Sequence, residues 1–359
     1  MARKRWILPR DETRQKPIFY HCISRVVDRR RAFAASDKEK FRAFMRMYEK
    51  FTGCRVVSYC LMCNHIHLLV EVPAMPKNGF SDDELLIRLR AIYSEAVVAE
   101  IARELLEARK KGTAREISNR VLEIHRRYTR RMHDLSRFME GLLQRFTRWF
   151  NRTHKRTGNL WEDAFKSLIV EDGVAAKTIA AYIDLNPVRA RMIKDPADYR
   201  WSSYGEAIGG GNKGNGKTAR AGLVRAVRAH LGTPADSAFW AHDVSKEYRK
   251  ILLTGSIERK TESIGSDGKL RVKITRSGIS KAAALSQTGE ISLGKMLRHR
   301  IRYFSDGAVI GSRDFVNEAF AAARERFTKN RKDGARRLKG DAKAAAGILW
   351  SVRDLSARI

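Results

Sequence analysis

Cys54-Arg55-Val56-Val57-Ser58-Tyr59-Cys60-Leu61-Met62-Cys63-Asn64-His65-Ile66-His67-Leu68-Leu69-Val70-Glu71-Val72 is the stretch that decides the fold class. Two runs, 54–61 and 65–72, are rich in β-branched and aromatic residues and flank a short turn at Met62-Cys63-Asn64, the pattern of an antiparallel strand pair. Successive side chains of a strand alternate, so Ile66, Leu68, Val70 and Val72 point one way and His65, His67, Leu69 and Glu71 the other. The wholly apolar set goes into the core, which puts both histidines on the opposite face.

Working outward, residues 17–27 (Pro-Ile-Phe-Tyr-His-Cys-Ile-Ser-Arg-Val-Val) read as a strand, and Ser36 is expected to cap a helix that runs to about Phe51 before Gly53 stops it. Downstream, 73–80 is a Pro/Gly loop. A charged helical insertion over about 81–133 follows, with capping boxes at Ser81/Glu84 and Thr113/Glu116. From Asp134 an apolar stripe of Leu135, Phe138, Met139, Leu142, Leu143, Phe146, Trp149 and Phe150 marks a further helix. A strand at 164–171 and a helix from Val174 to Leu185 complete the order. Strand, helix, strand, strand, helix, strand, helix fits an α+β, ferredoxin-like antiparallel sheet with one extra helix.

This domain is expected to occupy 1–205. A Gly-rich linker at 206–222, densest at 209–217, should lead to a mainly helical basic region over 223–359. Within that region Leu293–Phe320 is a candidate helix-turn-helix.

The chain has 359 residues and 72 Lys+Arg against 40 Asp+Glu, a formal charge of +32 that calls for a polyanionic partner. Nucleic acid is the commonest, although a ribosome-type scaffold role would carry the same charge. The basic N-terminus has no apolar stretch behind it and no run approaches a membrane span, so neither secretion nor membrane insertion is expected. Four cysteines, Cys22, Cys54, Cys60 and Cys63, crowd the first fifth of the chain, which points to a reducing cytoplasmic (nucleoid-associated) setting rather than a disulfide framework.

Three constellations could carry chemistry. His65 and His67 project from one strand face, close enough for both imidazoles to bind one metal, against the plain reading of an incidental His-x-His. A rival zinc set, Cys60, Cys63, His65 and His67, is disfavoured because Cys60 lies a strand back, before the turn. Tyr182 and Asn186 are four apart, so on a continuing helix they share a face. Equally, Asn186-Pro187 can start a second helix with Asn186 as its cap, and Tyr182 can be a core residue. Finally, Arg145, Arg148, Arg152, Lys155, Arg156 and Trp161 form a basic-aromatic stretch suited to phosphates and unpaired bases, or else a solvated helix face.

Tyr20-His21-Cys22-Ile23-Ser24-Arg25, Met62 to Val70, Arg156-Thr157-Gly158-Asn159-Leu160-Trp161, Tyr182 to Ala190 and Asp198 to Tyr204 occur in this order. Together they resemble the single-tyrosine HUH transposases, within them the REP-associated tyrosine transposases, over roughly residues 15–205. The resemblance implies an HUH endonuclease core in which His65, His67 and Asn186 hold Mg²⁺ or Mn²⁺ and Tyr182 is the nucleophile. It also implies cutting and rejoining of single-stranded DNA near hairpin-forming repeats, through a 5′-phosphotyrosine; both a homodimer and a monomer stay open. Arg25 and Arg189, inside the shared motifs, join the basic-aromatic residues as expected DNA contacts. Asp184 and Arg191 depart from the His and Gly more usual there, and the insertion is long. It could bind DNA, bind a second subunit or extend the core. The alternative from another class is a domesticated DNA- or RNA-binding regulator that does not cut, against which the full set His65, His67, Tyr182 and Asn186 argues.

Overall fold

The computed structural model describes residues 6–8, 14–110, 112–211, 214–228, 231, 234–240, 243–256, 259–264, 270–276, 302–305, 307–327, 330–332, 334–337 and 349–352. The first strand, β1 (Ile18–Arg25), is followed by α1 (Ala35–Thr52), β2 (Arg55–Leu61) and β3 (His65–Val72). The insertion folds as α2 (Asp82–Leu89), α3 (Glu95–Lys110) and α4 (Ala114–Thr129), after which come α5 (Leu135–Thr153), β4 (Lys166–Val170), α6 (Val174–Asp184) and α7 (Asn186–Arg189).

Strands β2-β3-β1-β4 lie side by side and every neighbouring pair is antiparallel, which is the ferredoxin-like order expected from the sequence. The alternation in β3 sorts its two faces as read. Ile66, Leu68, Val70 and Val72 join Phe41, Met45, Phe138, Met139 and Phe146 of α1 and α5 in one core. The other face is covered too, since Leu69 packs with Ala176, Ile179 and Ala180 of α6 in a second core.

Local signals account for most helix ends. Ser81 and Thr113 accept the N–H groups of Glu84 and Glu116, whose carboxylates accept in return from the Ser81 and Thr113 N–H groups. Gly53 ends α1 at φ +76°, a left-handed turn that glycine adopts without Cβ strain. Ser36 is not the cap of α1. The helix starts at Ala35, and the Asp37 carboxylate turns back to accept the Ala34 N–H at 2.8 Å. Of the three roles open to the insertion, it serves at least to extend the core, because Leu85, Leu89, Val98, Ile101, Leu105 and Ile124 are all buried in the first cluster.

The region after residue 205 departs from expectation. Helix α8 (Ser203–Gly209) is followed at once by α9 (Gly214–Arg228), so the Gly-rich stretch is a helix crossing rather than a linker. A Cβ on Gly216 would collide with the Gly210 and Gly211 carbonyls, so glycine is what lets the backbones touch. Leu223, Val224 and Val227 of α9 then bury themselves in the second core. Beyond α10 (Asp243–Ser256), a hairpin of β5 (Arg259–Ile264) and β6 (Leu270–Arg276) precedes a one-turn helix α11 (Arg302–Ser305). Strand β7 (Val309–Gly311), helix α12 (Arg313–Ala322), and strands β8 (Arg336–Arg337) and β9 (Trp350–Val352) close the chain.

The described residues of the C-terminal region therefore add strands to the helices expected there. Strand β7 pairs in parallel with β4, and β9 and β8 extend the sheet to seven strands. The same pairing removes the helix-turn-helix expected at Leu293–Phe320. Residues 309–311 are a sheet strand, while 293–301 lie outside the described residues. No described helix is long and apolar enough to cross a membrane.

Candidate active site

Strand register builds the site first. In an antiparallel pair, directly opposite residues share a face, and Arg25 stands opposite His65 and Ile23 opposite His67. His21, two residues before Ile23, is on that face as well. His67 is 3% exposed and His21 1%. Their Nδ1 and Nε2 atoms, respectively, share a hydrogen bond of 2.9 Å, with the rings stacked at 5.1 Å. His65 stands edge-on to His67, ring centres 5.0 Å apart. Its Nδ1–H donates to Asn64 Oδ1 at 2.6 Å, an orientation set by the Asn64 amide donating to the Arg29 carbonyl at 3.1 Å.

Burial keeps these rings neutral. The pKa of His21 falls to about 4, chiefly through burial. That of His65 falls to about 4, through burial and then the nearby Arg25 charge, and that of His67 is held well below the ordinary value, again mainly by burial. A neutral imidazole is the form that ligates metal.

Helix α6 brings the second half. Tyr182 lies near its end, 2% exposed, with its ring 5.9 Å from that of His67 and 5.8 Å from that of His21. Phe304 of α11 covers it at 5.0 Å, and the Arg189 guanidinium sits 4.4 Å over the ring while donating to the Tyr182 carbonyl at 2.6 Å. Helix α6 stops at Asp184 and α7 opens at Asn186 with Pro187 in its first turn, so the Asn-Pro pair does begin a second helix. Asn186 is not its side-chain cap, however. Its Nδ2 donates backward to the Tyr182 and Ile183 carbonyls, both at 3.1 Å, which closes the end of α6.

These contacts allow a direct test of whether a divalent ion fits. His65 and His67 each commit Nδ1 to a neighbour, leaving both Nε2 atoms without a partner among the described residues, and Asn186 commits its nitrogen, leaving Oδ1. Two imidazole nitrogens and one amide oxygen are a fitting donor set for Mg²⁺ or Mn²⁺ with open positions. The rival zinc set does not form. Cys60 Sγ donates to Met62 Sδ, Cys63 Sγ accepts from Arg31, and no three His, Cys, Asp or Glu side chains converge on a metal position among the described residues.

The expected DNA contacts separate. Arg25 and Arg189 stand at the site itself. Arg148 is exposed and lines a groove of about 760 Å³ between α5 and residues 159–165. Arg152 and Lys155 are exposed at the end of α5. Arg145 is half-buried over Phe44 and donates to the Ile92 carbonyl at 3.4 Å, and Arg156 donates to the Asn159 carbonyl at 3.1 Å, so both serve the fold. Trp161 is half-buried, packs against Phe33, Phe41 and Phe146, donates to Thr147 Oγ1 at 3.0 Å and lines the same groove as Arg148.

Sequence reasoning assigned no role to His21, Asn64 or Phe304. The first could have been found from alternation, because His21 shares its face of β1 with Arg25.

A solved structure described as "Structure of the REP associates tyrosine transposase bound to a REP hairpin" is similar over 60% of this chain and 90% of its own, with 12% identity and a TM-score of 0.32. No curated protein matches the chain. Residues 15–81, from β1 through the His65/His67 strand to the edge of the insertion, match the model of the family described as Transposase IS200 like, so over this segment the chain has the likeness to these transposases that its motifs suggested.

Proposed function

We propose that the chain is a DNA-cutting and rejoining enzyme, a transposase that uses Tyr182 as nucleophile on single-stranded DNA near hairpin-forming repeats. The observation that carries this reading is the approach of the Tyr182 ring to within 5.9 Å of the His67 ring, across 115 residues of sequence.

His65, His67 and Asn186 would hold a divalent ion, which would neutralise charge on the scissile phosphate. The remaining work falls to the chain. A free tyrosine, with a pKa of about 10, is mostly protonated at neutral pH and needs its proton removed as it attacks. The Tyr182 oxygen forms a bond to phosphorus, the DNA 3′ oxygen leaves and takes up a proton, and the 5′ phosphate remains on the tyrosine. Because one phosphoester replaces another, a 3′ hydroxyl can reverse the step and join strands. Arg25, opposite His65, and Arg189, over the Tyr182 ring, place positive charge where a phosphate would enter. The net charge of +32 retains the rest of the strand.

A second reading, a binder that does not cut, is favoured by one fact: Tyr182 is 2% exposed beneath Phe304, so a phosphate reaches it only after that cover shifts. One assay separates the two. The protein and a Tyr182→Phe variant are incubated with Mn²⁺ and labelled single-stranded hairpins from repeats flanking the gene, then run on a denaturing gel. A covalent protein–DNA band with the parent alone is the expected result. Binding without cleavage or linkage by the parent would give the second reading the lead.

A further inference from the structure

We propose that His21 is a positioning residue that sets which nitrogen of His67 carries the proton, through a relay anchored at the Phe304 backbone carbonyl. The inference rests on the reading of His65 and His67 as the metal-holding pair and adds a residue and a distant segment to it.

The direction of the relay follows from one group that can only accept. His21 Nδ1 lies 2.8 Å from the Phe304 carbonyl oxygen, so Nδ1 must carry the hydrogen and donate it. Both histidine rings are buried, and neither has a carboxylate among its hydrogen-bond partners in the described residues, so a charge on either would be unpaired. A neutral ring with hydrogen on Nδ1 presents a lone pair at Nε2. His21 Nε2 therefore accepts, and His67 Nδ1, 2.9 Å away, donates. The same rule applied once more leaves the lone pair of His67 on Nε2, the atom with no partner among the described residues. His65 reaches that tautomer by a separate route, through Asn64 Oδ1.

Two consequences distinguish this from ordinary packing. The relay links β1, β3 and α11, so a segment 223 residues downstream of Ser81, where the stretch that matches the transposase family ends, reaches the ligand pair through its backbone. And the requirement at position 21 is for an acceptor at the Nε2 position, which glutamine can supply and phenylalanine cannot. Outer partners of ligating histidines typically affect metal affinity by about 10–100-fold.

The test uses the full-length protein with ¹⁵N-labelled histidine, metal-free, as parent, His21→Phe and His21→Gln. Long-range ¹H–¹⁵N NMR reads the tautomer of His67, identified by its loss in His67→Ala, and calorimetry reads Mn²⁺ affinity. The parent should show hydrogen on His67 Nδ1. His21→Phe should lose that signature and bind Mn²⁺ about 10–100-fold more weakly, and His21→Gln should recover both. Hydrogen on His67 Nε2 in the parent, or an unchanged His67 tautomer in His21→Phe, overturns the relay. An unchanged Mn²⁺ affinity in His21→Phe overturns its bearing on the metal. Mn²⁺ binding that survives His67→Ala overturns the underlying metal assignment instead, with the tautomer signals still deciding the relay.

Discussion

Asp184, two residues past Tyr182, is fully buried and ties three helices together. Its carboxylate accepts from Tyr248 Oη of α10 at 2.6 Å and from the Tyr204 N–H of α8 at 2.9 Å, with further help from Ser202 and Ser203. Its pKa rises from 3.8 to about 7, with desolvation outweighing the hydrogen bonds. The folded state thus holds a proton that the unfolded chain gives up near pH 4. The stabilisation by the neutral carboxyl is complete below about pH 4, falls as pH rises and levels off above about pH 7. At about 1.4 kcal/mol per pH unit the difference across this window comes to about 4 kcal/mol. Asp184→Asn keeps the shape and cannot ionise, so its stability relative to the parent should improve by about that amount from pH 4 to pH 8. Urea denaturation of both proteins in EDTA, at pH steps from 4 to 8, reads this directly. Parallel curves, with the same gap at every pH, would refute the reasoning and show that the carboxyl ionises in the folded protein as readily as in water.

Arg191 is exposed at φ +59°, a left-handed conformation that costs a side-chain-bearing residue about 1–2 kcal/mol. Arg191→Gly should stabilise by about 0.5–1 kcal/mol after the backbone entropy of glycine is deducted, seen as a higher urea midpoint at unchanged slope. Glu206 is the shared acceptor of Arg42 at 2.7 Å, Arg46 at 3.1 Å and Tyr59 at 2.7 Å, joining α8 to α1 and β2. Glu206→Gln leaves the Arg42 and Arg46 guanidiniums with Glu39 and Glu49 as their remaining carboxylates, so it should cost less than the roughly 3–5 kcal/mol of a fully broken buried pair, about 1–3 kcal/mol, measured by the same titration.

How far these features were legible depends on how local their causes are. The alternation in 65–72, the stripe from Leu135 to Phe150 and the capping boxes at Ser81 and Thr113 are relations among near neighbours in the chain, and the structure repeats them. The ferredoxin-like order follows because short connections leave few ways to pair four strands. Trp161 shows the opposite case. Beside a basic run its chemistry suits stacking, but the packing of Phe33 and Phe41, more than a hundred residues upstream, against its ring is not a relation among near neighbours. The 209–217 stretch has the composition of a linker, yet glycine also permits the closest helix crossings, and only a packing partner distinguishes the two uses.

By itself, then, the sequence determined the sheet, the strand face that carries His65 and His67, and the helix that carries Tyr182, since each rests on a period of two or 3.6 residues. The family resemblance already grouped Tyr182 with His65 and His67; the tertiary structure alone decided how closely the Tyr182 and His67 rings approach, that Val309 and Ile310 extend the sheet beside β4, and that a carbonyl at residue 304 reaches His21. Those contacts join residues far apart in the chain, where side-chain chemistry permits many pairings and only the shared packing of both cores selects one.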